Sequence, residues 1–303
     1  MDDQTKMTQR GVILAIAAYT MWGIAPIYFK QLQSVSPFEI LSHRIIWAFF
    51  FLAALIFLGR GWGKVRQLLK QPKSMLMLLI SSLVIGGNWL IFIWAVNSNY
   101  MLDASLGYFI NPLLNVLLGM VFLGERLRPL QWLAVALAAG GVVIQLIHFG
   151  SLPWVALVLA ASFGVYGLLR KKVNLDAQTG LFLETSILLP LALGYVFFFA
   201  DSATSDWTQN TMGTNLLLMA AGVVTTLPLL CFTGAATKLK LSTLGFFQYI
   251  GPSLMFLLAV MVYGEVFSAD KSLTFACIWL ALVLFSFDGI KGHRRNRKKA
   301  QPA

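Results

Sequence analysis

Three ionisable side chains fall inside long apolar stretches of the sequence and are the first candidates for chemistry. His43 and Arg44 lie in one such stretch, and Glu184 lies in another. A charged group in the hydrocarbon of a bilayer is costly unless a partner or water compensates it. Each of these residues therefore needs either a structural partner or a role in function.

His43 and Arg44 predict a binding site for a solute or a counter-ion near one end of an apolar segment, beside Trp47. The alternative is that the long side chain of Arg44 extends to the lipid headgroups while the ring of His43 packs against its neighbours. The sequence leaves both interpretations open.

Glu184 is the candidate for proton coupling. Burial disfavours the charged form of a carboxyl group, so a carboxylate at membrane depth can bind and release a proton during a transport cycle. The alternative is structural: Glu184 would pair with a cation of the Arg170, Lys171 and Lys172 run, or lie favourably at a helix N-terminus.

A second group of candidates combines aromatic rings with neutral hydrogen-bonding groups inside apolar stretches. Rings supply large apolar faces, and amides and hydroxyls fix orientation, so this mixture suits an amphipathic organic solute better than an inorganic ion. The alternative is that these groups only hold helices together through hydrogen bonds. The residues are Trp22, Asn88, Trp89, Tyr108, Asn111, Tyr166, Gln248 and Tyr249.

Several kinds of chemistry are not supported by the sequence. Cys231 and Cys277 both fall in apolar runs, and no CxxC or HExxH spacing is present. The nearest approach to a phosphate-binding loop is Gly63-Lys64, which Val65 follows where Ser or Thr is required. We expect no metal, no cofactor and no ATP-driven pump.

The elements that must position these side chains are apolar helices. The 303-residue chain is 58% hydrophobic and only 12% charged, with a mean hydropathy of +0.76, whereas soluble domains carry roughly twice that charged fraction. About twenty apolar residues cross a bilayer as a helix. The sequence predicts an all-α membrane protein of ten transmembrane helices, at 11–30, 40–58, 75–97, 104–123, 130–149, 153–169, 180–199, 215–236, 242–263 and 273–290.

The cations predict the orientation of these helices. With a cytoplasmic N-terminus, all of the 23 Lys and Arg residues except Lys30, Arg44 and Lys271 fall in cytoplasmic segments, including a basic cytoplasmic tail at 291–303. Both termini are therefore predicted to be cytoplasmic. The tail is interpreted as an anchor against anionic lipid, so the bilayer is an expected partner and nucleic acid is not.

An internal repeat predicts two halves. Gly107 begins a segment of aromatics that ends in Pro112, and Gly245 begins a similar one that ends in Pro252; twelve residues then separate each proline from Glu125 or Glu265. Five helices per repeat require the second repeat to be inverted, an arrangement typical of secondary transporters. The predicted domains are the N-terminus 1–10, the repeats 11–149 and 150–290, and the tail 291–303.

Two features of the repeat suggest roles for single residues. Pro112 and Pro252 are candidate hinges because proline removes a helical hydrogen bond, although they could equally serve static packing. Glu125 and Glu265 are expected to cap the helices that follow them.

Five segments resemble one known family: 104–113 (ASLGYFINPL), 124–126 (GER), 42–47 (SHRIIW), 86–89 (GGNW) and 244–252 (LGFFQYIGP). They are similar to the EamA family of the drug/metabolite transporter superfamily, and in particular to its RarD branch. The resemblance implies ten helices in two inverted bundles, a bacterial inner-membrane location, and solute export or exchange. RarD-like proteins are commonly labelled chloramphenicol permeases.

Together these observations predict a secondary transporter that works by alternating access, more an exporter than an importer. Its substrate would be a small amphipathic molecule such as a metabolite, an amino acid or a drug like chloramphenicol, with protons as the candidate coupling ion. The protein could be a monomer or a homodimer. The alternatives are a passive channel, a binding partner without transport, and an intramembrane lipid-modifying enzyme that would have to unite His43 with Glu184.

Overall fold

The computed structural model describes residues 3–32, 34–97, 101–149, 154–201, 204, 206–262, 273 and 276–288, and every regular element in these ranges is helical. The predicted turn at Glu265, the cation Lys271 and the tail 291–303 lie outside the described residues. The helices are α1 (Asp3–Phe29), α2 (Pro37–Leu58), α3 (Trp62–Leu69), α4 (Pro72–Asn97), α5 (Met101–Leu123), α6 (Pro129–Phe149), α7 (Trp154–Val173), α8 (Ala177–Phe198), α9 (Met212–Ala236), α10 (Leu241–Gln248), α11 (Ile250–Met261) and α12 (Ala276–Asp288), with a 3₁₀ turn at Lys30–Leu32.

Six of these helices are long and apolar enough to cross a membrane, namely α1, α2, α4, α7, α8 and α9. Shorter apolar helical stretches occur at Gly107–Leu123, Pro129–Ile144 and Ala276–Asp288. The prediction of an all-α membrane protein is therefore confirmed. The count of ten spans, the inverted repeats and the positions of the termini stay predictions.

Local chemistry explains where the helices begin and end. Pro37 lies at the first turn of α2, where a missing N–H costs nothing. The side chain of Asp176 accepts a hydrogen bond from the backbone N–H of Thr179 at the start of α8. After α5, Gly124 adopts a left-handed conformation with φ of 63°, which glycine tolerates best and which ends the helix.

The short helix α3 was not predicted. It lies in a connection that the sequence marks only as basic, and it is amphipathic: Val65 and Leu68 are buried while Lys64 is exposed. Trp62 at its start packs edge-on against Phe182 of α8, with 5.5 Å between ring centroids. Such a helix is suited to lie along a membrane surface with its apolar face on the bundle.

The predicted continuous span 242–263 is broken instead into α10 and α11 at Tyr249. Pro252 has no N–H to donate to the carbonyl of Gln248, and the N–H of Tyr249 instead bonds to Phe246 O at 3.3 Å in a tighter turn. Pro112 lies inside the uninterrupted helix α5. The two matched prolines therefore have different local effects.

Helices from the first part of the chain pack chiefly against helices from the second part. The most extensive contacts join α1 to α9 and α11, α2 to α8 and α9, α4 to α7, and α5 to α7 and α10. A core of buried apolar residues, including Tyr19, Leu52, Ile85, Phe182 and Phe232, runs through this interface. The two parts of the chain thus form one interlocked bundle.

The bundle has two distinguishable ends. The basic end holds the connections 59–71, 124–128, 174–176 and 237–240, and there Lys171 bonds to the carbonyl oxygens of Ala236, at 3.3 Å, and Leu239. The opposite end holds the connections 30–36 and 199–211. There the hydroxyl of Tyr28 donates to Leu217 O at 2.5 Å.

The connection 199–211 at the opposite end carries negative charge. The carboxylate of Asp206 accepts hydrogen bonds from the hydroxyl and the N–H of Thr208 and from the side-chain amide of Gln209. These bonds hold the pKa of Asp206 below its usual range. Asp206 is therefore ionised at neutral pH, which contrasts with the basic connections at the other end.

Gly222 allows α9 to approach the backbone of α2. A Cβ atom at this position would overlap the main chain at Trp47 and Ala48. Gly140 in α6 provides a comparison, because a Cβ atom there would meet nothing within 4 Å.

We expect Gly222→Ala to destabilise the fold by about 1–3 kcal/mol, the usual cost of overpacking. Gly140→Ala is the matched control, since both changes gain the same helix propensity and only one creates a clash. Thermal unfolding of the purified protein in detergent measures both. Equal midpoints for the two variants would contradict the close α2–α9 contact.

Candidate functional site

A cavity of about 230 Å³ lies inside the bundle, lined by helices from both parts of the chain. It extends from the middle of α1 to Phe29, near the end of the bundle that holds the connections 30–36 and 199–211. Many of the predicted site residues line it: Trp22, Arg44, Asn88, Trp89, Tyr108, Asn111, Gln248 and the hinge candidate Pro252. The sequence analysis did not single out Tyr19, Phe92, Phe163 or Thr225, which also line it.

One side of the cavity is an aromatic wall. The Trp22 ring lies 5.6 Å from Tyr19 and 5.9 Å from both Phe163 and Phe232, measured between centroids. Tyr108 and Phe92 form another aromatic pair at 6.1 Å. Rings at these separations interact favourably and present an apolar surface to any bound molecule.

A chain of amide hydrogen bonds orients the polar groups beside this wall. The Asn111 amide donates to the backbone carbonyl of Ala160 at 2.6 Å, which fixes its nitrogen and leaves its oxygen toward Asn115. The Asn115 amide donates to the Asn111 oxygen at 2.9 Å and to the Gln248 oxygen at 3.2 Å. The NH₂ group of Gln248 therefore donates to no residue that the structure describes.

Asn88 differs from Gln248 in that its oxygen, and not its NH₂ group, is left without a bond to another side chain that the structure describes. Its NH₂ group donates to Leu159 O at 3.0 Å and to the Ser162 hydroxyl at 2.8 Å. These two bonds use both of its donors, so the carbonyl oxygen of Asn88 remains as an acceptor at the cavity. The site thus offers a donor at Gln248 and an acceptor at Asn88.

Among the described residues that line the cavity, Arg44 is the one that carries a charge. Its guanidinium carbon lies 3.6 Å from the ring centroid of Trp89, a cation–π contact with a neighbouring helix. Within the described part of the chain, the ion pairs join Arg128 to Asp288 and Arg170 to Glu184, so Arg44 has no acidic partner there. The structure places Arg44 toward the cavity rather than toward the headgroups.

A second, small cavity of about 20 Å³ adjoins the first and shares Arg44 and Trp89 with it. Tyr166 and Glu184 line this smaller space, which has room for about one water molecule. The Arg44–Trp89 pair therefore separates the large cavity from the chamber that contains Glu184.

Glu184 and Arg170 form a buried ion pair, with 3.5 Å between Arg170 Nη1 and Glu184 Oε1 and only 1% and 3% of the two side chains exposed. The hydroxyl of Ser81 donates to the same carboxylate oxygen, and Tyr166 donates to Oε2 at 3.3 Å. The structure thus provides the structural partner that the sequence analysis left open. It does not test proton coupling, which stays a prediction.

Arg170 was missed as a site residue because it begins the run Arg170-Lys171-Lys172, which resembles an ordinary basic loop. The helix α7 continues to Val173, so Arg170 lies inside the bundle against Gly180. Its guanidinium nitrogens have no hydrogen-bond partner among the described residues. A charge that is paired but not fully hydrogen-bonded is a costly arrangement at this depth.

Besides Glu184, which lines only the small chamber, four predicted residues lie outside the large cavity. His43 is rotated about 100° from Arg44 on α2 and packs against Trp207, 5.1 Å between centroids, so it faces the connection 199–211 instead. Tyr166 lines only the small chamber. The Tyr249 hydroxyl donates to Phe109 O at 3.2 Å within the core, and Pro112 packs against Gly245.

This placement separates His43 from Glu184, since neither cavity is lined by both residues. Within the described ranges there is also no group of His, Cys, Asp or Glu suited to hold a metal ion. Neither cavity therefore brings together the pair that an intramembrane enzyme would require.

Comparisons with known proteins agree with this architecture. The family model described as the EamA-like transporter family matches residues 9–147. An "Uncharacterized transporter" of Vibrio cholerae serotype O1 is 67% identical to this chain over 96% of it and 97% of the relative. The "Protein RarD" of Escherichia coli (strain K12) is 60% identical over 97% of this chain and 99% of its own.

The chain belongs to the EamA-like transporter family. The relatives named RarD are similar over nearly the whole chain and place it in the RarD branch. A more distant member, the "Chloramphenicol-sensitive protein RarD" of Pseudomonas aeruginosa, is 32% identical over 97% of this chain and 99% of its own. A solved crystal structure shares the fold, with a TM-score of 0.71 at 20% identity over 91% of this chain and 97% of that one.

In this EamA-like transporter, Glu125 does not cap the helix that follows it, contrary to expectation. Its carboxylate accepts hydrogen bonds from the N–H of Leu241 at 2.6 Å and from the N–H and hydroxyl of Ser242 at 3.0 and 2.6 Å. It therefore caps α10, whose N-terminus favours negative charge. The start of α6 is served by Gln131 instead, which accepts from the N–H of Arg128 at 3.0 Å.

We expect Arg170→Gln to destabilise the transporter by about 3–5 kcal/mol, because it leaves the Glu184 carboxylate buried without its counter-charge. The double variant Arg170→Gln/Glu184→Gln should recover much of this loss. Arg128→Gln is the control and should cost less, since the Arg128 side chain is 47% exposed and water can replace the pair. Thermal unfolding in detergent compares the variants, and additive losses in the double variant would argue against the ion pair.

Proposed function

We propose that this transporter is a secondary carrier that moves a small amphipathic organic solute across the bacterial inner membrane by alternating access. The observation that carries the proposal is the cavity of about 230 Å³, which combines an aromatic wall with oriented polar groups. It lies between helices of the two parts of the chain, where transporters built from repeats bind their solutes.

The proposal includes ten transmembrane helices arranged as two inverted repeats, 11–149 and 150–290, with both termini cytoplasmic. The basic end of the bundle is then the cytoplasmic end, since cations are retained on that side of a membrane. The anionic connection 199–211 faces outward, in agreement with this orientation.

In that orientation the described conformation is closed toward the cytoplasm. The cavity reaches Phe29 near the outer end, whereas Glu125 and Lys171 tie α5 and α7 to α10 and α9 at the cytoplasmic end. An inward-open state requires these contacts to break. The bonds of Glu125 to α10 are therefore proposed as a latch between the two halves.

Proton coupling through Glu184 is part of the proposal. Protonation would remove the charge that holds Arg170 and would weaken the contact between α7 and α8. The name of the Pseudomonas aeruginosa relative makes chloramphenicol a sensible test solute. Export is the proposed direction, and both a monomer and a homodimer are compatible with the cavity, which one chain encloses.

We expect Trp22→Ala and Asn111→Ala to reduce saturable counterflow in proteoliposomes by about tenfold or more, because the first removes part of the aromatic wall and the second releases the amide chain. The loss corresponds to about 1.4 kcal/mol of binding. Trp132→Ala is the control, since this tryptophan lies on α6, is 49% exposed and does not line the cavity. Labelled chloramphenicol and amphipathic metabolites are screened with and without a pH gradient.

Unchanged flux in both cavity variants would overturn the assignment of the site. Flux that never saturates would favour a passive channel. Accumulation driven by the gradient and lost in Glu184→Gln supports proton coupling, whereas exchange without accumulation indicates a facilitator.

We expect Glu125→Ala to speed amide hydrogen exchange at Leu241 and Ser242 about two- to thirtyfold, the range expected from the loss of a helix cap worth about 0.5–2 kcal/mol. Asp176→Ala is the matched control, because it removes the cap of α8 and should affect Thr179 instead. Exchange at α10 that is the same in both variants and the unmodified protein would show that the latch does not hold this end closed.

A further inference from the structure

We propose that the solute of the large cavity is an organic monocarboxylate, whose carboxylate lies against Arg44 and Gln248 and whose apolar body lies on the aromatic wall. This inference rests on the proposed function, because it takes the cavity to be the solute site. It goes further by naming the charge and the chemical class of the solute.

The charge balance of the cavity favours an anion. Arg44 lines the cavity, and the described residues that line it with Arg44 include no Asp or Glu. A guanidinium away from bulk water and without a counter-charge is costly. A neutral solute would displace water from Arg44 and leave that charge uncompensated, whereas an anion would compensate it.

The geometry at Arg44 suits a carboxylate. The guanidinium carbon lies 3.6 Å from the Trp89 ring centroid, and among the described residues no group accepts a hydrogen bond from its N–H groups. A planar fork of donors matches the two oxygens of a carboxylate in a bidentate arrangement. The contact also directs Arg44 inward, to α4, instead of toward the headgroups.

The orientation of Gln248 provides a second donor in the cavity. The amide chain that begins at the Ala160 carbonyl occupies the Gln248 oxygen, so its NH₂ group remains to face a ligand. Gln248 is only 5% exposed and lines the same cavity as Arg44. Two donor groups from separate helices, α2 and α10, favour an acceptor-rich group on the solute.

The cavity favours a monoanion over a phosphate. Among the side chains that the structure describes around it, only Arg44 is a cation, so a dianion would keep one charge uncompensated in apolar surroundings. The acceptor oxygen of Asn88 is suited to a single N–H or O–H elsewhere on the solute. Most of the remaining described lining is apolar or aromatic, which suits a compact hydrocarbon or aromatic body.

The test measures binding to the purified full-length protein in detergent, independently of transport. The probes are a panel of aromatic and aliphatic monocarboxylates, each paired with its neutral primary amide, at a pH where the acids are ionised. We expect at least one acid to bind about tenfold or more tightly than its amide, measured by thermal shift and isothermal titration. If no acid binds more tightly than its amide, the proposal is wrong.

Variants locate the effect. Arg44→Gln should reduce the preference for the acid to within about twofold, and Arg44→Lys should retain part of it because the charge remains without the fork. Arg128→Gln is the control, since it removes an arginine that pairs with Asp288 outside the cavity. A preference that survives in Arg44→Gln would overturn the assignment.

A second variant keeps the test decisive if Arg44→Gln does not fold. Gln248→Glu is nearly isosteric and can still accept from Asn115, but it places a negative charge where the carboxylate is proposed to lie. It should weaken binding of the acid far more than binding of its amide, because only the acid is repelled by the added charge, and equal losses would contradict the proposal. Inorganic phosphate and a short-chain phosphatidylglycerol are further probes, and tighter Arg44-dependent binding of either would show that the site takes a phosphate or a lipid headgroup instead.

The failure of this inference and the failure of the proposed function give different results. Acids that bind through Arg44 but show no counterflow in proteoliposomes would contradict transport and support the anion site. Neutral amphiphiles that exchange saturably, depend on Trp22 and are unaffected by Arg44→Gln would support transport and contradict the anion site.

Discussion

The cost of placing polar groups away from water is the constraint on which this bundle depends. Most of the buried polar side chains avoid this cost by bonding to partners inside the bundle. Asn88 bonds to α7, Asn111 bonds to the Ala160 carbonyl, and Glu184 is surrounded by Arg170, Ser81 and Tyr166. Against this background, groups at the cavity that lack a counter-charge or a hydrogen-bond acceptor among the described residues are informative. Arg44 and the NH₂ group of Gln248 are of this kind, and they define the polar side of the site.

The same bonds explain why the cavity lies where it does. Asn111 and Asn115 of α5 connect α7 with α10, and the small residues Gly107 and Gly245 let α5 lie directly against these two helices. Glu125 then fastens the far end of α5 to the first turn of α10. One helix thus closes the basic end and lines the open part of the cavity, so movement of α5 relative to α10 would change both regions together.

Sequence reasoning identified the helices well because a long apolar run directly records a buried or membrane-crossing segment, as α2 and α9 illustrate. It failed where short-range detail or contacts between distant residues determine the local structure. The eight residues of α3 form too short a pattern to stand out, and the break at Tyr249 depends on how Pro252 is accommodated. Glu125 was expected to cap its own neighbour, but its partner lies more than a hundred residues away at Leu241.

In the candidate site, too, some features could be predicted from the sequence and others could not. Residue types at depth were sufficient to select Trp22, Asn88, Asn111 and Gln248, since few alternatives exist for such groups within apolar runs. The sequence does not tell which of two adjacent residues faces the cavity, because packing sets the rotation of a helix about its axis. Arg44 faces the cavity, while His43 faces Trp207. Arg170 was hidden by the two lysines beside it, although α7 carries it into the bundle.

The position of Arg44 between the two cavities connects the proposed solute site with Glu184. Both spaces are lined by Arg44 and Trp89, so an anion in the large cavity and the Glu184 carboxylate in the small one lie on either side of the same guanidinium. An anion in the large cavity and the ionised Glu184 carboxylate repel each other at low dielectric, and protonation of Glu184 removes the repulsion. On the proposed function, proton uptake at Glu184 and binding of a monocarboxylate therefore favour each other, so the two would cross in the same direction and be exported down the outward gradient of the solute. The coupling needs no long pathway, because one stacked pair of side chains forms the wall between the two sites.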